Sequence, residues 1–109
     1  SALQDNAHAL EQFYAQYKSF KKNSTTWADL AVKQNDYFCF RMQGNARGAL
    51  SDNFTVKAVA LNKDSEPRVL KINQDMILTL CETSTSSCSE SNTYFSNANG
   101  TDSNCVIYE

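Results

Sequence analysis

Apolar positions along this chain recur first with the period of a helix and then with the period of a strand. Leu3, Ala7, Leu10, Tyr14 and Tyr17 are spaced by three or four residues, which marks one face of an amphipathic helix. The pattern predicts a helix over residues 1–18, followed by Lys18, Lys21 and Lys22, whose charge suits a helix C-terminus. From residue 37 the period drops to two and predicts strands near 37–43, 54–61, 68–73 and 76–81. Residues 62–67 read as a hairpin loop and residues 73–75 as a tighter turn. An irregular connector over 19–36 joins helix to sheet, with Trp27 expected to plug it onto the body. Residues 82–109 are rich in Ser, Thr and Asn, with Tyr94, Phe95, Val106, Ile107 and Tyr108 as sparse apolar anchors. Such a segment does not order itself by burial. The expected class is α+β: one domain, a helix on a four-stranded antiparallel sheet, and a C-terminal tail.

Alternation along the strands also places charge. Phe38, Phe40 and Met42 share one face and leave Arg41 on the other. Phe54, Val56 and Ala58 exclude Lys57 in the same way, and Leu70 and Ile72 exclude Lys71. If these strands pair in sequence order, the three cations form a stripe across the solvent face of one sheet. A polyanionic partner fits such a stripe. Solvent-facing side chains of this kind tolerate replacement by Ala within about 0.5 kcal/mol.

The overall charge of −2 conceals this asymmetry. Residues 41–71 carry six cations, Arg47 among them, against three acids, a balance of +3. Residues 72–109 carry five acids and no Lys or Arg, a balance of −5. With 41% hydrophobic residues, three Gly and one Pro, the composition is that of a globular domain and excludes a disordered or fibrous chain.

Cys39, Cys81, Cys88 and Cys105 lack metal-site spacing, and the single histidine, His8, is remote. No metal is expected, and two disulfides in an oxidising compartment fit better. Four cysteines allow three connectivities. Joining Cys81, at the end of the last strand, to Cys105 closes the polar tail into a loop. Cys39 then holds Cys88 down on the sheet, so Cys39–Cys88 with Cys81–Cys105 is the favoured pairing.

A helix, a connector, a four-stranded meander and a cysteine-bounded tail is the order of parts in type IV pilins. The resemblance is carried by residues 5–20, Phe38-Cys39-Phe40-Arg41, Ala46-Arg47-Gly48-Ala49-Leu50, Lys57-Ala58-Val59-Ala60, Asn62-Lys63-Asp64 and Ser86-Ser87-Cys88-Ser89. On these segments the whole chain resembles the minor pilins that serve as DNA receptors of competence pili. That resemblance implies an extracellular, non-enzymatic receptor that binds double-stranded DNA and prefers a short uptake sequence. It implies an electropositive stripe at the positions of Arg41, Lys57 and Lys71. It implicates flanking loops, at Arg47 and in the tail. Other pilin subunits are the further partners, and the cell surface is the location. A hydrophobic helical segment ahead of residue 1 is expected to anchor the protein in the membrane before assembly. One departure stands out: tails in this group carry lysines, and residues 82–109 have none.

Plainer readings stand beside these. A lone exposed Lys or Arg on a sheet is ordinarily a solubilising group; three in register argue for more. Tyr94 and Phe95 either stack on bases or form a satellite core for the tail. His8 reads as a helix-surface or packing residue. No nucleophile–base pair and no phosphate-cradling Gly loop is present, so neither an enzyme nor a cofactor is expected. The alternative function is a structural minor pilin acting in assembly, adhesion or aggregation.

Overall fold

The computed structural model describes residues 2–96 and 101–108. The helix, α1, runs Ala2–Tyr17 and buries Leu3, Ala7 and Leu10, the core of the expected stripe. Asn6 lies on the same face and is fully buried. Its amide donates to the Val32 carbonyl at 2.9 Å and accepts from the Val32 N–H at 2.7 Å, which pins the connector to the helix. The connector is more regular than expected, because it folds into a small hairpin of β1 (Lys21–Asn23) and β2 (Thr26–Trp27). Trp27 packs against the main core, and its indole N–H donates to the Gly44 carbonyl at 2.8 Å.

The main sheet has six strands where four antiparallel ones were expected. They are β3 (Phe38–Gln43), β4 (Thr55–Ala60), β5 (Val69–Asn73), β6 (Leu78–Ser84), β7 (Tyr94–Phe95) and β8 (Asp102–Ile107). β3 to β6 form the antiparallel meander, and the tail supplies both edges, in the order β7-β3-β4-β5-β6-β8. β7 pairs in parallel with β3, so the sheet is mixed. The tail was expected as a disulfide-bounded loop region. Backbone pairing to open strand edges orders it where apolar content does not.

Each sheet face is covered. On one side Leu3, Ala7 and Leu10 pack against Phe40, Met42, Val56, Ala58 and Ile72. On the other, Phe95 and Cys88 of the tail pack against Cys39, Val59, Val69 and Cys81. Disulfides Cys39–Cys88 and Cys81–Cys105 hold that second layer in place. These are the pairings favoured by the loop-closing argument. The fold is therefore helix, sheet and tail in three layers. No helix of the described residues is long and apolar enough to cross a membrane.

Candidate nucleic-acid interface

The strand register aligns the three cations as alternation requires. Arg41 lies opposite Lys57, and Lys57 lies opposite Lys71, in one row across β3, β4 and β5. Their surroundings are not those expected. The row lies beneath the tail, and Lys57 has no solvent exposure. Lys57 donates to Asp102 Oδ1 at 2.8 Å and to Ser86 Oγ at 2.9 Å. Lys71, with a side chain 21% exposed, donates to Asp102 Oδ2 at 3.1 Å. The Arg41 guanidinium donates to three tail carbonyls, those of Cys88 at 2.8 Å and of Glu90 and Asn92 at 2.9 Å each. Phe95 sits against two of the three cations, with Arg41 Cζ 5.2 Å and Lys57 Nζ 5.6 Å from its ring centre. These contacts correct the expectation of an exposed stripe. Val59 and Val69 share the face of the cations, so that face is partly apolar and takes a covering layer. The expected tolerance of Ala falls with it, since removing one partner of a buried pair strands the other.

Asp102 is the anion at the centre. Burial by itself would raise its carboxyl, but hydrogen bonds from Lys57 and Ser84, the Lys57 charge and the Lys71 bond outweigh burial and hold it at about 2. Ser84 Oγ donates at 2.6 Å, and Gln43 adds a longer bond at 3.4 Å. Burial pulls Lys57 below its ordinary value, against the bond and charge of Asp102. Lys63, in the hairpin loop, also holds the tail: it donates to the carbonyls of Ser84 and Ser86 at 2.6 Å each.

Cations free for an outside partner lie elsewhere. Among the described residues, the side chains of Lys18, Lys33 and Arg47 are exposed and make no hydrogen bond or ion pair. Lys22 and Arg68 are exposed but paired, with Asp29 and Glu66. Arg47 sits on a 3-10 turn, Ala46–Gly48, and its own backbone N–H donates to the capping Asn45 Oδ1 at 3.0 Å. Lys21 braces the turn from behind, donating to the carbonyls of Ala49 at 2.8 Å and Ala46 at 3.3 Å. The turn closes one end of a groove of about 590 Å³ floored by Cys39–Met42 of β3. One wall is the connector, with Thr25, Trp27, Lys33 and Gln34; the other is the tail, from Glu90 to Tyr94. The lining sets Lys33 and Arg41 against Asp29 and Glu90, so phosphate neutralisation falls to Lys33 and to Arg47 beside the groove, while Asn, Gln and Thr along the walls can offer hydrogen bonds to base edges.

Known proteins share this architecture. The chain is 41% identical to the minor DNA-uptake pilin ComP from Neisseria subflava, whose solution structure it matches over 98% of its own length and 89% of that chain, with a TM-score of 0.75. It is 42% identical to the type IV pilin ComP from Neisseria meningitidis, over 99% of its length and 88% of that chain, with a TM-score of 0.63. The chain belongs to the ComP group of type IV minor pilins. The non-core minor pilin PilV from Neisseria meningitidis is more distant, at 26% identity over 80% of the chain and 82% of that chain, with a TM-score of 0.54. No protein-family model and no curated protein sequence matches this pilin.

Within this pilin, sequence reasoning missed Asp102, Ser84 and Gln43 as partners of the cation row, and Asn92 and Gln34 as groove walls. The Asp102 bonds join residues as many as 59 positions apart, and nothing local in the sequence marks them. One signal was present: Val56 to Ala60 is apolar on both faces around a single Lys, the composition of a strand covered on both sides.

Proposed function

We propose that this pilin is a cell-surface DNA receptor of competence pili, binding double-stranded DNA with preference for an uptake sequence. One observation carries the reading: exposed Lys33 lines a groove, and exposed Arg47 follows its lining residue Ala46, on a chain that is alike over nearly its full length to pilins of the ComP group, one of them named for DNA uptake. In this reading Arg47 and Lys33 meet phosphates, releasing counterions and making affinity salt-dependent. Sequence preference comes from the groove walls, through hydrogen bonds to base edges. Arg41, Lys57 and Lys71 contribute through the tail they hold. They also contribute through the field of the row, in which Lys57 and Lys71 share one buried carboxylate and Arg41 is held by neutral carbonyls. Other pilin subunits are the remaining partners, within the pilus.

A competition shift assay on the 109-residue chain tests this, with uptake-sequence and scrambled duplexes at a fixed, stated salt concentration. The uptake duplex is expected to compete better than the scrambled one. Absence of binding to both would favour a structural minor pilin. The commitment of the cation row to the protein's own tail, and the likeness to PilV, support that second reading.

A further inference from the structure

Arg41 forms a fork on three backbone carbonyls of one segment. Nη1 donates to Glu90 and Asn92, and Nη2 donates to Cys88. That segment is the tail-side wall of the groove. It has few apolar contacts of its own: Ser91, Asn92 and Thr93 are exposed, and inward packing comes from Cys88 and Phe95 at its ends. The guanidinium is therefore the principal internal support of the wall between those two anchors. Asn92 has two roles here. Its carbonyl is held by Arg41, and the residue lines the groove, where its side chain makes no hydrogen bond among the described residues. A carboxamide presents a donor and an acceptor side by side, the pair that matches adenine in the major groove.

Building on the receptor reading above, we infer that Arg41 sets DNA-sequence preference without touching DNA, as a positioning residue for the wall, and that Asn92 is the side chain that reads an adenine edge. The guanidinium is required for its shape as well as its charge. A lysine retains the charge but has one nitrogen, which cannot span three carbonyls in this arrangement. The inference differs from two simpler roles for Arg41. A residue that meets phosphate would depend on charge, and a base reader would leave the free protein's tail unchanged when replaced.

The test uses the parent chain with Arg41→Lys and Asn92→Ala, uptake and scrambled duplexes at several salt concentrations, and amide spectra of the free proteins. Asn92→Ala keeps its backbone carbonyl and is expected to fold. It should lower the ratio of uptake to scrambled affinity by about 5- to 150-fold, the range that one bidentate pairing with a base edge supplies, with the salt slope unchanged. Arg41→Lys should lower the same ratio, keep the salt slope, and shift the amide signals of residues 88–94 in the absence of DNA. An Asn92→Ala chain with the parent's ratio overturns the assignment of Asn92. Unshifted signals at 88–94 in Arg41→Lys overturn the positioning role, even if preference is lost. A parent that binds neither duplex overturns the receptor reading and the Asn92 role together, while the amide signals still decide whether Arg41 shapes the wall.

Discussion

Lys57 Nζ lies 2.8 Å from Asp102 Oδ1, and the two side chains are 0% and 6% exposed. This pair joins the centre of the sheet to a strand at its far edge. It turns a row of cations from an outward surface into the attachment of the tail. The ions are satisfied locally, since Ser86, Ser84, Lys71 and Gln43 take up remaining donors and acceptors. Buried pairs with such support persist, while halves of them are costly.

Replacing Lys57 by Ala is expected to destabilise the fold by about 3–5 kcal/mol, because Asp102 is left buried with Lys71 as its one remaining cation. Arg68→Ala serves as the comparison. Its pair with Glu66 is exposed on the Arg68 side by 54%, so the effect there should be far smaller than that of Lys57→Ala. Urea unfolding of both variants checks the contrast. Equal, small effects would show that the Lys57 pair does not hold the tail.

Acid should loosen the tail over a defined window. The Asp102 carboxyl is held at about 2 in the folded chain, and an unfolded Asp titrates near about 3.9. The folded state therefore binds fewer protons between those values, and stability from this group is lost as pH falls through the window. The loss amounts to about 2 kcal/mol between about pH 5 and pH 2, with no contribution to slope above about pH 5. Asp102→Asn should remove this part of the acid dependence in denaturation curves taken at successive pH values. A variant with the parent's full acid dependence would contradict the assignment.

The two disulfides close loops with sequence separations of 49 and 24 residues. Chain-entropy reasoning assigns them about 4 and about 3 kcal/mol. Non-reducing peptide mapping should recover Cys39 joined to Cys88 and Cys81 joined to Cys105. A reductant should lower thermal stability and release residues 84–96 first, because β7 is only two residues long. Amide exchange reads that order directly. Uniform loss of protection across the sheet would show that the tail is no less stable than the rest.

The helix face, the meander and the in-register cation row were legible in the sequence, because each follows from a local period. Leu3, Ala7 and Leu10 fall inside, and Arg41, Lys57 and Lys71 align across three strands. The outer layer was not legible. Its strands form by backbone pairing, and Phe95, its one fully buried apolar side chain among the described residues, stands in a Ser- and Asn-rich run with no period to read. Arg47 came through on both counts: a loop position in the sequence, and an exposed, capped turn in the structure. Lys63 shows the limit of that reading, since its place in the 62–67 loop gives no sign of its bonds to two tail carbonyls.

The most direct test of the central claim is the salt dependence of DNA affinity for the parent and for a Lys33→Ala, Arg47→Ala double variant. Both residues are exposed and unbonded among the described residues, so the fold should change by less than about 0.5 kcal/mol. A receptor that meets phosphates through these two side chains predicts weaker binding to uptake and scrambled duplexes alike. The slope of log K against log salt should fall by about 2, one for each phosphate no longer neutralised. A folded double variant with the parent's affinity and slope would contradict it.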